Sequence, residues 1–185
     1  MQGQNLRLRY QVKKGDSQIG NMVISCNDSA GNKVYAQQLD AKLSLLLFTI
    51  QVKDTRNVRF TGKQLHYARA ERRVCGRPTI IHETCKKGKS YTDGRHALNN
   101  LHQEPTYSTV QLFFQEPVNQ QYVYSEYYQQ DYQIEIVEPH HYRIRMADGN
   151  TGDYFYKSGI CYKVVTETRW ATVTSYLQSD NIASQ

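Results

Sequence analysis

From Tyr142 onward the chain reads as one β-hairpin after another, and no other feature limits its fold so much. Tyr142 to Met146 alternates, and Asp148-Gly149-Asn150-Thr151-Gly152 turns it back. Asp153 to Tyr156 alternates again, Lys157-Ser158-Gly159 makes a second turn, and Ile160 to Glu167 follows. Alternating segments joined by glycine-containing turns are the sequence form of an antiparallel sheet.

The same pattern runs through the N-terminal half. Leu6, Leu8, Tyr10 and Val12 alternate with polar residues, and Lys14-Gly15-Asp16-Ser17 is a turn. Ile19, Met22, Ile24 and Cys26 make the return strand, Asn27–Asn32 turns again, and Val34 to Leu39 pairs back. Ala41–Val52 is apolar on both faces, so it reads as a fully covered strand or a short helix. Phe48, Thr49, Ile50 and Val52 favour a strand running on toward Phe60, with Gly62 as the break. Leu65–Val74 and Thr79–Cys85 are further strands, separated by Gly76-Arg77-Pro78.

The block Glu104–Pro117 is bracketed by prolines. Its spacing predicts a short helix over about Thr106–Phe114, capped by Thr106, although Val110, Leu112 and Phe114 also fit a strand. The expected fold is mainly β: an antiparallel twisted meander or half-closed barrel, with that helix over its concave side. Its 185 residues suffice for one domain with a real core. That domain is expected to span residues 1–178, and residues 179–185 read as a polar tail.

The net charge is +6, but its 23 Lys and Arg are scattered, with short runs at Arg69–Arg73 and Lys86–Lys89. No long basic block or RNA-binding aromatic motif accompanies them, so no nucleic-acid partner is expected. Leu43–Ile50 is the most apolar stretch and is far short of the ~20 residues a spanning helix needs. Met1-Gln2-Gly3-Gln4 does not read as a signal peptide, which fits either a cytoplasmic chain or a mature exported form.

None of the constellations that carry chemistry is complete. His82, Glu83 and Cys85 have ligand chemistry, yet His82 and Cys85 would face opposite sides of a strand. His140 and His141 follow Pro139 in a turn-like stretch, where adjacent histidines are ordinarily solvated. Cys161 falls in register with Lys163 and Glu167, opposite Ile160, Tyr162 and Val164, and has no positioned base. The carboxylate pairs Glu135/Glu138 and Asp148/Asp153 are possible acid–base partners, but Asp148 belongs to its turn. No catalytic residue, metal site or cofactor is expected. Of the four cysteines, Cys75 and Cys85 are the nearest pair if the chain is exported; otherwise they read as small buried hydrophobes.

Tyrosine is the best functional clue. Tyr122, Tyr124, Tyr127, Tyr128 and Tyr132 fall within eleven residues. Such side chains suit either strand packing or a binding surface that is apolar at one end and wet at the other.

Tyr10-x-Val12, Ile19-Gly20-x-Met22, Glu104–Pro117, Ser125-Glu126 and Asp148-Gly149…Tyr154-x-Tyr156-x-x-Gly159-Ile160 together resemble a family of exported Bacteroidetes proteins known as a domain of unknown function. The resemblance covers most of the chain and is most specific in the central block and the Asp148–Ile160 hairpin. It implies a periplasmic or otherwise extracytoplasmic antiparallel protein, distantly similar to envelope β-proteins with a curved sheet. It brings no activity, cofactor or catalytic residue.

The leading expectation is a non-enzymatic envelope protein holding an apolar or amphipathic, lipid-like molecule in the concave face, with Phe113 and Phe114 lining the cavity or plugging it. The alternative is a structural or protein-interaction module of the envelope, acting through a sheet edge or tyrosine-rich surface. Peripheral membrane association is a further possibility.

Overall fold

The structure, a computed structural model, describes residues 4–29, 31–45 and 48–179. Among the described residues, thirteen strands form a single antiparallel sheet. The first seven are β1 (Gln4–Lys14), β2 (Ser17–Ser29), β3 (Asn32–Leu45), β4 (Phe48–Thr61), β5 (Gln64–Val74), β6 (Ile80–Lys87) and β7 (Ser90–Thr92). The rest are β8 (Tyr122–Ser125), β9 (Gln130–Glu138), β10 (His141–Arg145), β11 (Thr151–Lys157), β12 (Ile160–Glu167) and β13 (Thr172–Leu177). Two meanders, β1–β7 and β8–β13, are joined where β1 pairs with β13, so the outermost strands are β7 and β8.

Alternation decides which face closes on the core. Leu8, Tyr10 and Val12 of β1 pair with Ile24, Met22 and Gly20 of β2, and all but the glycine point inward and are buried. The inner face continues through Tyr35, Val58 and Ala68, which are register partners on β3, β4 and β5. Gly20 sits in this rank because nothing larger fits: an added Cβ would come within 2.2 Å of the Asp40 carbonyl oxygen. The Gly20→Ala substitution is therefore expected to push β2 from β3 and cost about 1–3 kcal/mol. The urea midpoint measures it; an unchanged midpoint would show that β3 yields freely.

Between β7 and β8 the chain must cross the sheet, and this segment fills the concave side. Tyr107, Val110, Leu112 and Phe113 are buried there. The expected helix over Thr106–Phe114 is reduced to one 3-10 turn, Gln111–Phe113. Its first half is held straight by backbone bonds to β8: Tyr124 N–H to the Tyr107 oxygen (2.9 Å) and Thr109 N–H to the Tyr124 oxygen (2.9 Å). Those donors and acceptors are unavailable for helix closure, and no side chain caps the turn. Phe113 is wedged edge-on between Tyr10 (5.3 Å) and Tyr154 (6.1 Å), and Phe114 leans on Tyr35 (5.7 Å). Of the two roles expected for this pair, plugging is the one the fold realises.

Bulges in β2, β5, β9 and β12 sharpen the curl. The sheet does not close into a barrel by a backbone ladder. Its far ends meet through side chains instead: Gln129 Nε2 donates to the Glu83 carbonyl (2.7 Å), and Tyr124 and Thr84 share a hydroxyl bond (2.7 Å). Ala41–Val52 corrects the single-strand reading, since its first residues end β3 and its last begin β4, with Leu43 opposite Ile50. The expected continuation from Phe48 toward Phe60 is β4. Apart from Ser179, the polar tail lies outside the described residues.

Candidate functional site

The polar centre of the molecule lies on the seam where the sheet curls back on itself. Asp54 and Arg56 share the inward parity of Val58 on β4, and Arg72 is the β5 partner of Asp54. Arg56 Nε meets Asp54 Oδ1 at 3.0 Å, and Arg72 Nη2 meets Oδ2 at 2.8 Å. From the opposite wall comes Glu126, in the β8–β9 turn, only 1% exposed. It accepts from Arg56 Nη1 (3.4 Å), from the Thr109 hydroxyl and from Val110 N–H (3.4 Å). Two guanidiniums and two carboxylates thus neutralise one another across the seam. Burial alone would raise the Asp54 carboxyl, but Arg56 and Arg72 outweigh it and hold the group below the usual range.

Beside this cluster the inner face changes character. In the row of Asp54 and Arg72 stand Leu39 of β3 and Ile80 of β6, and the next inward row holds Ala41 of β3, Val52 of β4 and Val74 of β5. These five are apolar, and the crossing segment covers the other end of the sheet. They are left half-buried, with Ile80 41% exposed. The result is an apolar shelf walled on one side by Arg72, Tyr127 and Tyr128. The Tyr127 ring lies 3.8 Å from the Arg72 guanidinium and edge-on to both Tyr128 and His82. The Tyr128 hydroxyl donates to Asp148. Gln129 takes a left-handed backbone conformation (φ 54°) below them, fixed by its bonds to Glu83, Thr84 and His82.

The residues singled out in the sequence are distributed as follows. His82 faces inward with Ala70, while Glu83 faces outward with Arg69, bonding it and Tyr67. Cys85 is opposite Tyr67 on the outer face, so the three do not converge. His140 bonds Glu116 (3.0 Å), and His141 is buried, bonded to Asp153 (2.6 Å) and stacked on Phe155. The solvated reading therefore fails for His141. Asp153 also takes Arg143, whereas Asp148 serves Asn150 and Tyr128, so the two aspartates work apart. Glu135 pairs with Arg145 and Glu138 with His141.

Cys161 reverses its expected placement. A bulge at Phe155/Tyr156 shifts the register of β12, so Cys161 is fully buried with Val164 while Tyr162 turns outward. Burial pushes its thiol up to about 12, which leaves no nucleophile at neutral pH. Cys75 and Cys85 are free. Cys75 stands eight residues beyond Tyr67, the partner of Cys85, or roughly 25 Å along the strand, far outside disulfide reach. Of the tyrosines, Tyr124 and Tyr132 are core, while Tyr122, Tyr127 and Tyr128 are half-exposed.

Sequence reasoning missed Asp54, Arg56 and Glu126. The signal was present for the first two: charged residues occupying inward positions in the alternation of Val52 and Val58. Alternation gave none for Glu126, because a turn carries no face; it stood out only as part of Ser125-Glu126 in the family resemblance.

Residues 10–178 match the model of a family described as Domain of unknown function (DUF6134). No curated protein and no solved structure matches the chain.

Proposed function

We propose that this chain, which belongs to the DUF6134 family, is a non-enzymatic extracytoplasmic protein that binds an amphipathic, lipid-like molecule on the open shelf of its curled sheet. The observation behind this reading is the shelf: Ala41, Val52, Val74 and Ile80, edged by Leu39 where it packs on the core, form an apolar floor that the described residues leave half-exposed. Apolar floors with a few convergent polar groups are the usual form of small-molecule sites. The apolar part of the ligand lies along the floor, and its polar head meets Arg72, Tyr127 and Tyr128. The concave centre, by contrast, belongs to the protein's own Tyr107, Leu112 and Phe113.

Native mass spectrometry of protein purified without detergent from an envelope fraction tests this. The expected result is added mass that disappears on denaturation, and its loss in Ile80→Glu and Val74→Glu variants that remain folded. A clean apo mass for the wild type would overturn the reading. The alternative, a protein-interaction module, draws support from β6: β7 pairs only with Cys85–Lys87, leaving Ile80 and Ile81 exposed on an edge strand. Defined multiples of the apo mass would favour it.

A further inference from the structure

The hairpin of β3 and β4 outruns both of its neighbours. Pairing of β3 with β2 ends at Ala41 opposite Gly20. Pairing of β4 with β5 ends at Val52 opposite Val74, followed by one last bond from Cys75 N–H to the Gln51 oxygen (3.0 Å). Past these points, Lys42–Leu45 and Phe48–Gln51 pair only with each other in the sheet register of the described residues. The arm extends roughly 13 Å beyond Ala41. A lone two-stranded hairpin is marginal in water. This one is also uncharged from Leu43 to Val52, with Leu43 facing Ile50. An apolar, unsupported arm calls for an apolar medium around it.

The same end of the sheet carries a second feature of that kind. Lys13 of β1 pairs with Thr174 of β13, so the β12–β13 hairpin tip lies at the arm's end of the sheet. There Trp170 is 60% exposed, with the Arg169 guanidinium 4.4 Å from its ring. Lys42, Arg77 and Arg169 are exposed at this end, where Asp40 is engaged by Lys53, Glu71 by Arg73, Asp148 by Asn150 and Tyr128, and Glu167 by Thr151, with Asp16 exposed in the β1–β2 turn. Apolar tips, an interfacial Trp and flanking cations are the elements that seat a protein on an anionic lipid surface.

We infer that the β3–β4 arm and the Trp170 hairpin form a docking end for an anionic lipid bilayer, with Leu43 and Ile50 entering the headgroup–acyl boundary and Lys42, Arg77 and Arg169 meeting lipid phosphates. The inference stands apart from the shelf reading, although the two fit together: the shelf opens toward this end.

Flotation of the full chain with phosphatidylcholine vesicles, with and without phosphatidylglycerol, tests it. The expected result is co-flotation with the mixed vesicles, weakened by high salt. Ile50→Asp and Leu43→Asp should each lower vesicle affinity on the order of tenfold or more, with the urea midpoint unchanged. Lys42→Glu should weaken binding to the mixed vesicles alone. No flotation with either vesicle, or flotation indifferent to Ile50→Asp, would overturn the inference. Arm variants are expected to retain any mass adduct, and Ile80→Glu to retain flotation, so failure here is distinguishable from failure of the ligand reading.

Discussion

Replacing Asp54 with alanine is expected to destabilise the protein by about 3–5 kcal/mol, because it strips Arg72 of its carboxylate and leaves Arg56 with Glu126 alone in a buried setting. Asp54 is 1% exposed and is the sole carboxylate shared by Arg56 and Arg72 in the described structure. For a chain of this size the loss corresponds to a fall of about 10 °C or more in Tm. The pH dependence has a definite sign. The folded carboxyl is held below its unfolded value, so its stabilising contribution is complete above about pH 4 and fades as pH falls through the folded pKa. The stability gap between wild type and Asp54→Ala should therefore narrow in acid below about pH 4. Chemical denaturation at neutral pH and in acid measures both. A loss under 1 kcal/mol at neutral pH would show that the seam is hydrated and that the ion cluster does not hold the curl.

The second large effect is at Phe113. Its ring is 6% exposed and wedged between Tyr10 and Tyr154. Truncation to alanine should cost about 3–5 kcal/mol through lost burial and the cavity left behind. This separates a plug from a lid. The hydroxyls around the segment are already spent on backbone oxygens: Tyr10 on Cys161 (2.6 Å), Tyr156 on Leu112 (2.8 Å), and Tyr107 on Gln115. A lid that swings open would have to break the Tyr156 bond to the segment, and its Phe113→Ala variant would lose little stability while gaining ligand capacity. Equilibrium unfolding with mass spectrometry of the same variant decides between the two.

The seam explains why this sheet holds its curl without closing. A barrel satisfies its last edge by hydrogen bonds between strands. Here Glu126 and Gln129 reach across from one turn to β4 and β6. That leaves the shelf end open, and a continuous ladder would not.

Strand positions were legible in the sequence because their code is local: period-two alternation and glycine turns such as Gly15 and Gly159 place side chains on faces regardless of the partner strand. The inward direction of Leu8, Tyr10 and Val12 followed in the same way. Three things were decided only in three dimensions. The Glu104–Pro117 block has helical punctuation, but backbone bonds to Tyr124, distant in sequence, took its first half. A single bulge exchanged the faces of Cys161 and Tyr162, and bulges are set by how two strands fit together. The ion cluster joins Asp54 and Arg56 to Glu126, seventy residues beyond Arg56. Alternation fixes which way a side chain points, but only the curl of the whole sheet fixes what it meets there.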